Sequence, residues 1–229
     1  VKAIITDSEA SKNDIARLTH FPHDKIFVIY LAPGEQFKPQ GAKEQEKVKG
    51  KYKLTDSFVL YVGDVNWNKN IPTLIRAMKG VDVSLVLVGN AFLHHDLPEV
   101  QLIQKTIEET NQREKIIMLG YIPDSDLPAV YSLASLYVQP SIAEGFGLPV
   151  LEAMACGTPA VVSLKTSLAE IAGPSILVDP EDSKNIKSSI QEMLKRDRKS
   201  ESQKARDWAA RFTWEKTAVE TVKVYKGIL

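Results

Sequence analysis

Cysteine is nearly absent from this chain: Cys156 is the one thiol in 229 residues. An internal disulfide is therefore excluded, and a disulfide-stapled scaffold with it; such usage suits a reducing compartment. Net charge is missing as well, because 29 Lys and Arg balance 29 Asp and Glu. The chain as a whole offers no electrostatic attraction to nucleic acid or to an anionic membrane. No apolar run approaches the ~20 residues that span a bilayer. The opening Val1-Lys2-Ala3-Ile4-Ile5-Thr6 is too short for a signal peptide and lacks a cleavage pattern. Repeats and low-complexity tracts are lacking too. The expectation is a cytoplasmic protein with neither a transmembrane segment nor a nucleic-acid partner.

What is present is a regular alternation on an ordinary globular composition, 44% hydrophobic and 25% charged. Apolar runs at Phe58–Val62, Ser84–Val88, Ile116–Leu119, Leu136–Gln139, Ala160–Ser163 and Ile176–Val178 read as buried strands. Helical patterns over Pro72–Lys79, Leu97–Asn111, Ser125–Ala134 and Pro149–Ala155 lie between them. Strands alternating with helices predict a parallel sheet covered on both faces, with right-handed crossovers. Upstream, Val1–Thr6 and Lys25–Ile29 read as strands around a helix at Glu9–Leu18, capped by Asp7 or Ser8. Ala32 to Lys53 holds Pro33, Gly34, Pro39, Gly41 and many Lys, Glu and Gln, the composition of a linker or exposed loop. After the last strand, helices are predicted over Asp182–Lys195, Ser200–Phe212 and Trp214–Tyr225, with Thr213 as a cap. Phe212 and Trp214 are expected to anchor them by burial.

The predicted fold is α/β: a doubly wound, Rossmann-like parallel sheet with trailing C-terminal helices. Ligands of such sheets bind beyond the carboxyl ends of the strands. Four loops fall there, Gly63–Asn70, Gly89–His95, Gly120–Asp124 and Ser141–Leu148, and they carry nearly every unusual residue. No G-x-G-x-x-G turn follows the first strand of the main sheet, which disfavours a dinucleotide-dependent oxidoreductase.

The fourth loop carries the densest chemistry. Pro140 ends a strand, and Gly145 and Gly147 let the backbone turn tightly and approach a ligand. Pro149 fits the first helical position, Gly157 the residue just past the helix, and Pro159 prevents continuation. A Gly turn feeding a helix presents N–H groups that suit phosphate. Glu152, placed in the first turn, has two acceptor oxygens that match a sugar diol, and Glu144 faces the ligand side of the loop. Two glutamates alone are more often a cap and a surface residue. Lys69, just before a helix near Ile71, can reach phosphate oxygens, although a lone loop lysine is usually solvated. Trp67 either stacks on a ligand or packs on a partner surface. His94-His95-Asp96 lack a third ligand at helical spacing and read as solvated. Glu170 reads as a cap or acceptor behind the site, and Cys156 as a small buried residue at a helix end.

The run from Pro140 to Val162 closely resembles the donor-site motif of the retaining, two-domain (GT-B) glycosyltransferases of the glycosyltransferase 4 family, whose two glutamates are separated by seven residues as Glu144 and Glu152 are here. Tyr61-Val62-Gly63 with Asn68-Lys69-Asn70 is similar to that family's first strand and phosphate loop. Leu119-Gly120-Tyr121-Ile122, followed by Leu127 and Tyr131, resembles its base-binding turn. Glu170, Leu177-Val178-Asp179-Pro180 and the tail Phe212-Thr213-Trp214-Glu215 also fit, so the resemblance covers roughly residues 26–229.

This resemblance implies a donor-binding half at residues 54–229, a linker at 34–53, and at 1–33 the end of an acceptor-binding N-terminal domain otherwise missing. It implies hexosyl transfer from a nucleotide-diphosphate sugar with retention, without metal or cofactor. Glu152 would hold the ribose, and Glu144 the donor sugar and the catalytic step. Lys69, Gly63, Asn68 and the backbone of Gly145, Phe146, Gly147 and Leu148 would hold the diphosphate, and Gly120, Tyr121 and Ile122 the base. The Asn68-Lys69-Asn70 form leans toward mannosyl transfer from GDP-mannose, with UDP-sugars close behind. A glycan or lipid-linked acceptor would bind the missing half, at the inner membrane face when full length, and this fragment alone would be inactive. The family usually has an arginine shortly after the glycine, and Asp64 stands near that place, which puts affinity and donor choice in question. The alternatives are a non-catalytic nucleotide-sugar binding module or subunit of a split enzyme, and a phosphorylase or epimerase of the same fold, although no cofactor-lysine motif is found.

Overall fold

The computed structural model describes residues 1–228. It opens with β1 (Ile4–Thr6), α1 (Glu9–Thr19) and β2 (Ile26–Val28), the two strands pairing in parallel. After α2 (Ala42–Tyr52) come β3 (Phe58–Val62), α3 (Ile71–Ala77), β4 (Ser84–Val88), α4 (Pro98–Thr110) and β5 (Ile116–Leu119). Then follow α5 (Leu127–Leu133), β6 (Leu136–Gln139), α6 (Leu148–Ala155), β7 (Ala160–Ser163), α7 (Ser167–Ile171) and β8 (Ile176–Val178). Three helices close the chain, α8 (Ser183–Lys195), α9 (Arg198–Ala209) and α10 (Trp214–Ile228).

The six strands from β3 onward form one all-parallel sheet in the order β5-β4-β3-β6-β7-β8. This is the predicted doubly wound α/β fold. Period-2 alternation decides which core each side chain joins. Phe58 and Leu60 of β3 pack in one layer with α5, α6 and α9, while Val59 and Tyr61 pack in the other with α3, α4 and α8. Burial on both faces is why these strands read as continuous apolar runs. The strand order reverses between β3 and β6, so the chain leaves them toward opposite faces and a crevice opens at their carboxyl ends.

Three sequence expectations are corrected. Residues 42–52 are a helix and not an exposed loop, and Val48 at 2% exposure joins the core beside α5. Its apolar stripe is so thin that tertiary packing, not pattern, decides the helix. Helix α6 begins at Leu148, because Gly147 takes a left-handed φ of 105° and serves as its N-cap. Pro149 therefore occupies the second position, and Glu152 lies beyond the first turn. Trp214 is 47% exposed at the head of α10; Trp208 does the anchoring, donating from Nε1 to the Ile171 carbonyl at 2.8 Å and packing on Phe212.

The first segment docks on the fourth loop. Ser8 caps α1 and donates from Oγ to the Gly145 carbonyl at 2.7 Å. Glu170, in the accepting role expected of it, takes the N–H groups of Glu9 and Ala10 at 2.9 and 2.8 Å. Among the described residues, no helix is long and apolar enough to cross a membrane.

Candidate active site

The loops after β3 and β6 are laced together at the crevice. Asn70, 9% exposed, donates to the carbonyls of Pro140 and Pro180 at 3.1 and 2.6 Å. Asn68 donates from Nδ2 to the Ala143 carbonyl at 2.8 Å, and its own carbonyl accepts the Ile142 N–H at 2.7 Å. This lacing brings Lys69 against Glu144 across 75 residues of sequence: Nζ lies 2.7 Å from Oε1 and 2.8 Å from Oε2. Gln139 Nε2 and Ser141 Oγ also donate to Oε1, each at 2.7 Å. Among the described residues, Glu144 Oε1 thus takes three donors and Oε2 one. The pair neutralises a carboxylate that would otherwise repel any anion bound nearby, and an ammonium carries three N–H donors, so a third can serve another acceptor.

Gly145, Phe146 and Gly147 follow. A Cβ at Gly147 would lie 2.5 Å from Leu168 Cδ2, so both φ and space require glycine. Phe146 turns its ring into the core against Tyr30, and Leu148 is partly buried against the same layer. Among the described residues, the N–H groups of Gly145, Phe146 and Gly147 have no protein acceptor. They lead directly into the head of α6, and N–H groups left unpaired at a helix N-terminus suit an anion. Asn68, Glu144 and Gly145 line a depression of about 330 Å³ facing Ala10, Ser11 and Asp14 of α1.

Glu152 lies deeper. Its Oε2 accepts the Tyr131 hydroxyl at 3.0 Å. Burial pushes its carboxyl up to about 7; the Tyr131 hydrogen bond opposes this and the charge of Asp124 adds to it. A group so poised accepts hydroxyl donors readily once ionised. Cys156, buried at the end of α6, is likewise pushed up to about 12 by burial, which makes it a packing residue and not a nucleophile.

A second depression, of about 660 Å³, lies beyond β3, β4 and β5. Gly63, Asp64, Gly89, His94, Tyr121, Ile122 and Asp124 are among its lining residues. Gly120 sits just behind, where a Cβ would meet Leu93 Cδ1 at 2.4 Å. Asp64, exposed in this depression, holds its own loop by accepting the Val65 N–H at 2.8 Å. The β3 loop borders both depressions, with Gly63 in one and Asn68 in the other. Trp67 stands 71% exposed on the same loop.

Of the sequence-predicted residues, Asn68, Glu144 and Gly145, with Lys69 held on Glu144, gather at one depression and Gly63, Tyr121 and Ile122 at the other, whereas Glu152, Phe146, Gly147, Leu148 and Gly120 line neither. Sequence reasoning did not single out Gln139, Ser141 or Tyr137, while His94, read as solvated, is exposed at the rim of the second depression. A polar Gln closing an otherwise apolar strand was the available signal for the first.

The family model described as glycosyl transferases group 1 matches residues 42–211. The O-antigen chain mannosyltransferase B of Escherichia coli is 36% identical, over 98% of this chain and 60% of that protein. The serotype-specific mannosyltransferase WbdA of Escherichia coli is 32% identical, over 99% of this chain and 29% of that protein. The chain thus spans less than two thirds of the length of these relatives. Among solved structures, a glycosyltransferase from Rickettsia africae superposes with a TM-score of 0.87 at 20% identity, covering 99% of this chain and 63% of that one. Anabaena Alr3699/HepE in complex with UDP and glucose gives 0.84 at 19%, covering 100% of this chain and 63% of that one; at these identities the shared property is the fold. The family model covers most of the chain, so the chain belongs to the glycosyl transferases group 1 family.

Proposed function

We propose that this chain is the nucleotide-sugar-binding half of a retaining hexosyltransferase, and that the transferred sugar is mannose carried on GDP. The observation that carries the reading is the Lys69–Glu144 pair, held at the topological switch point beside three N–H groups that have no protein acceptor among the described residues. When the glycosidic bond breaks, the leaving diphosphate gains charge, and preorganised N–H dipoles with a lysine stabilise it without a metal. In this reading the backbone of Gly145, Phe146 and Gly147 and the remaining N–H of Lys69 take the diphosphate. Glu152 takes the ribose, Gly120 to Ile122 take the base, and Glu144 takes the sugar hydroxyls while the anomeric carbon becomes oxocarbenium-like.

Mannose is favoured because relatives at 36% and 32% identity are named mannosyltransferases. A UDP-sugar is the competing donor, since the superposing Alr3699/HepE structure contains UDP and glucose. The acceptor, a glycan or lipid-linked sugar, would bind an N-terminal domain of which residues 1–33 form the end. The test is to supply that half, fused ahead of Val1 or as a separate subunit. Transfer with retained anomeric configuration is expected, and Glu144→Gln should cut turnover more than nucleotide affinity. An inverted product, or equal losses in both quantities, would contradict the assignment.

A further inference from the structure

We infer that Gln139, oriented by the hydroxyl of Tyr137, is a positioning residue that locks Glu144 Oε1 to the protein and leaves Oε2 to meet the ligand. The inference rests on the reading of Glu144 as the residue that faces the donor sugar. Strand β6 is otherwise apolar, Leu136-Tyr137-Val138, and at 2% exposure Gln139 is nearly withdrawn from water. A buried primary amide is costly unless its groups are paired. Here both ends are. Its Oε1 accepts the Tyr137 hydroxyl at 2.8 Å, and its Nε2 donates to Glu144 Oε1 at 2.7 Å.

The two-residue period of the strand explains the arrangement, because Tyr137 and Gln139 project from the same face of the sheet. Tyr137 is fully buried, and its hydroxyl also lies 3.3 Å from the Val62 carbonyl at the end of β3. A flipped amide would set Gln139 Oε1 against Glu144 Oε1, acceptor against acceptor, at 2.7 Å. The orientation seen is therefore the one that satisfies both neighbours. With Ser141 and Lys69 also on Oε1, that oxygen is saturated, while among the described residues Oε2 meets Lys69 alone. The carboxylate cannot rotate without breaking several charge-assisted bonds at once, so a sugar hydroxyl finds Oε2 at a fixed place.

The 229-residue chain tests this by titration with GDP-mannose against GDP, and with UDP-glucose against UDP. The readout is the ratio of sugar-nucleotide to nucleotide affinity for the better-bound pair. Gln139→Met should lower that ratio about tenfold, the loss a hydrogen bond to a charged group supports, while nucleotide affinity stays within about twofold. Tyr137→Phe removes one oxygen and keeps the ring, and should lower the ratio by a smaller factor in the same direction. Glu144→Gln should lower it at least as far as Gln139→Met. If Glu144→Gln lowers the ratio and neither Gln139→Met nor Tyr137→Phe does, the positioning role is overturned and the donor-sugar reading survives. If nucleotide and sugar-nucleotide affinities fall together in the two variants, the network is structural and the inference fails. A ratio unmoved by Glu144→Gln would overturn the donor-sugar reading and the inference together.

Discussion

The rings of Tyr131 and Tyr137 meet edge to face, 5.9 Å apart at 61°, and each hydroxyl serves one of the two glutamates. Tyr131 donates directly to Glu152 at 3.0 Å, and Tyr137 acts on Glu144 through Gln139. Both tyrosines are fully buried in one core layer, so the two carboxylates share a single rigid support. Aromatic packing of this kind contributes ~0.5–1.5 kcal/mol beyond area burial, and its directionality fixes where the two hydroxyls point.

Glu152 predicts a pH dependence with a definite sign. Its carboxyl, near 4.5 when unfolded, is pushed up to about 7 by burial. The folded state therefore holds a proton that the unfolded state releases. Stability should be highest below about 4.5 and fall as pH rises toward 7, on the order of 3 kcal/mol in all. Glu152→Gln should flatten that dependence and raise stability at pH 8 in urea denaturation. A ribose diol donating to Glu152 favours the ionised form, so nucleotide affinity should climb with pH up to about 7 and then level. Affinity that is flat from pH 5 to 8 and indifferent to Glu152→Gln would make this residue purely structural.

Lys69 and Glu144 should behave as a coupled unit. Their side chains are 19% and 9% exposed, so removing the lysine strands a nearly buried carboxylate. Lys69→Met should cost ~3 kcal/mol, the scale of a broken buried pair. The double variant Lys69→Met/Glu144→Gln should cost clearly less than the sum of the singles. Strict additivity in the denaturation cycle would mean that the pair contributes nothing specific.

The fold was largely legible in the sequence, for a physical reason. Strands buried on both faces appear as short apolar runs closed by glycine, proline or polar residues, and Phe58–Val62, Ser84–Val88 and Ile176–Val178 have the bounds the pattern predicts. Side-chain caps were legible too, at Ser8 and Thr213, whereas Asp182, read as the first residue of its helix, is its cap. Helix α2 was not legible, since among the described residues its ties to the hydrophobic core are Val48 and Tyr52. The Lys69–Glu144 contact was also invisible, because it depends on β3 lying beside β6, a fact of sheet order and not of spacing. Gln139 read as the end of a strand until the face it occupies was known.

Arg198 offers a control away from the site. Its guanidinium donates to the carbonyls of Gly157 and Ala134, both at 2.8 Å, and so closes the C-terminal ends of α6 and α5. Burial, with the nearby Arg206 charge, pushes it down to about 10, and the negative helix ends offset part of that cost. Arg198→Met should lower stability by ~2–3 kcal/mol, by leaving both carbonyls without this donor, and should leave nucleotide affinity unchanged. A loss below about 0.5 kcal/mol, the range of an ordinary surface substitution, would contradict this role.

The most direct test of the donor-binding reading is a calorimetric titration of the chain with GDP, UDP and ADP in the presence of a chelator. One nucleoside diphosphate, GDP by preference, should bind in a saturable one-to-one fashion, with an affinity that added magnesium does not raise. Glu152→Ala should weaken it by ~1.5–3 kcal/mol, the scale of a hydrogen bond to a charged group, while a 2′,3′-dideoxy analogue should be nearly indifferent to the same change. No binding of any of the three, or binding that appears only when magnesium is restored, would contradict the account.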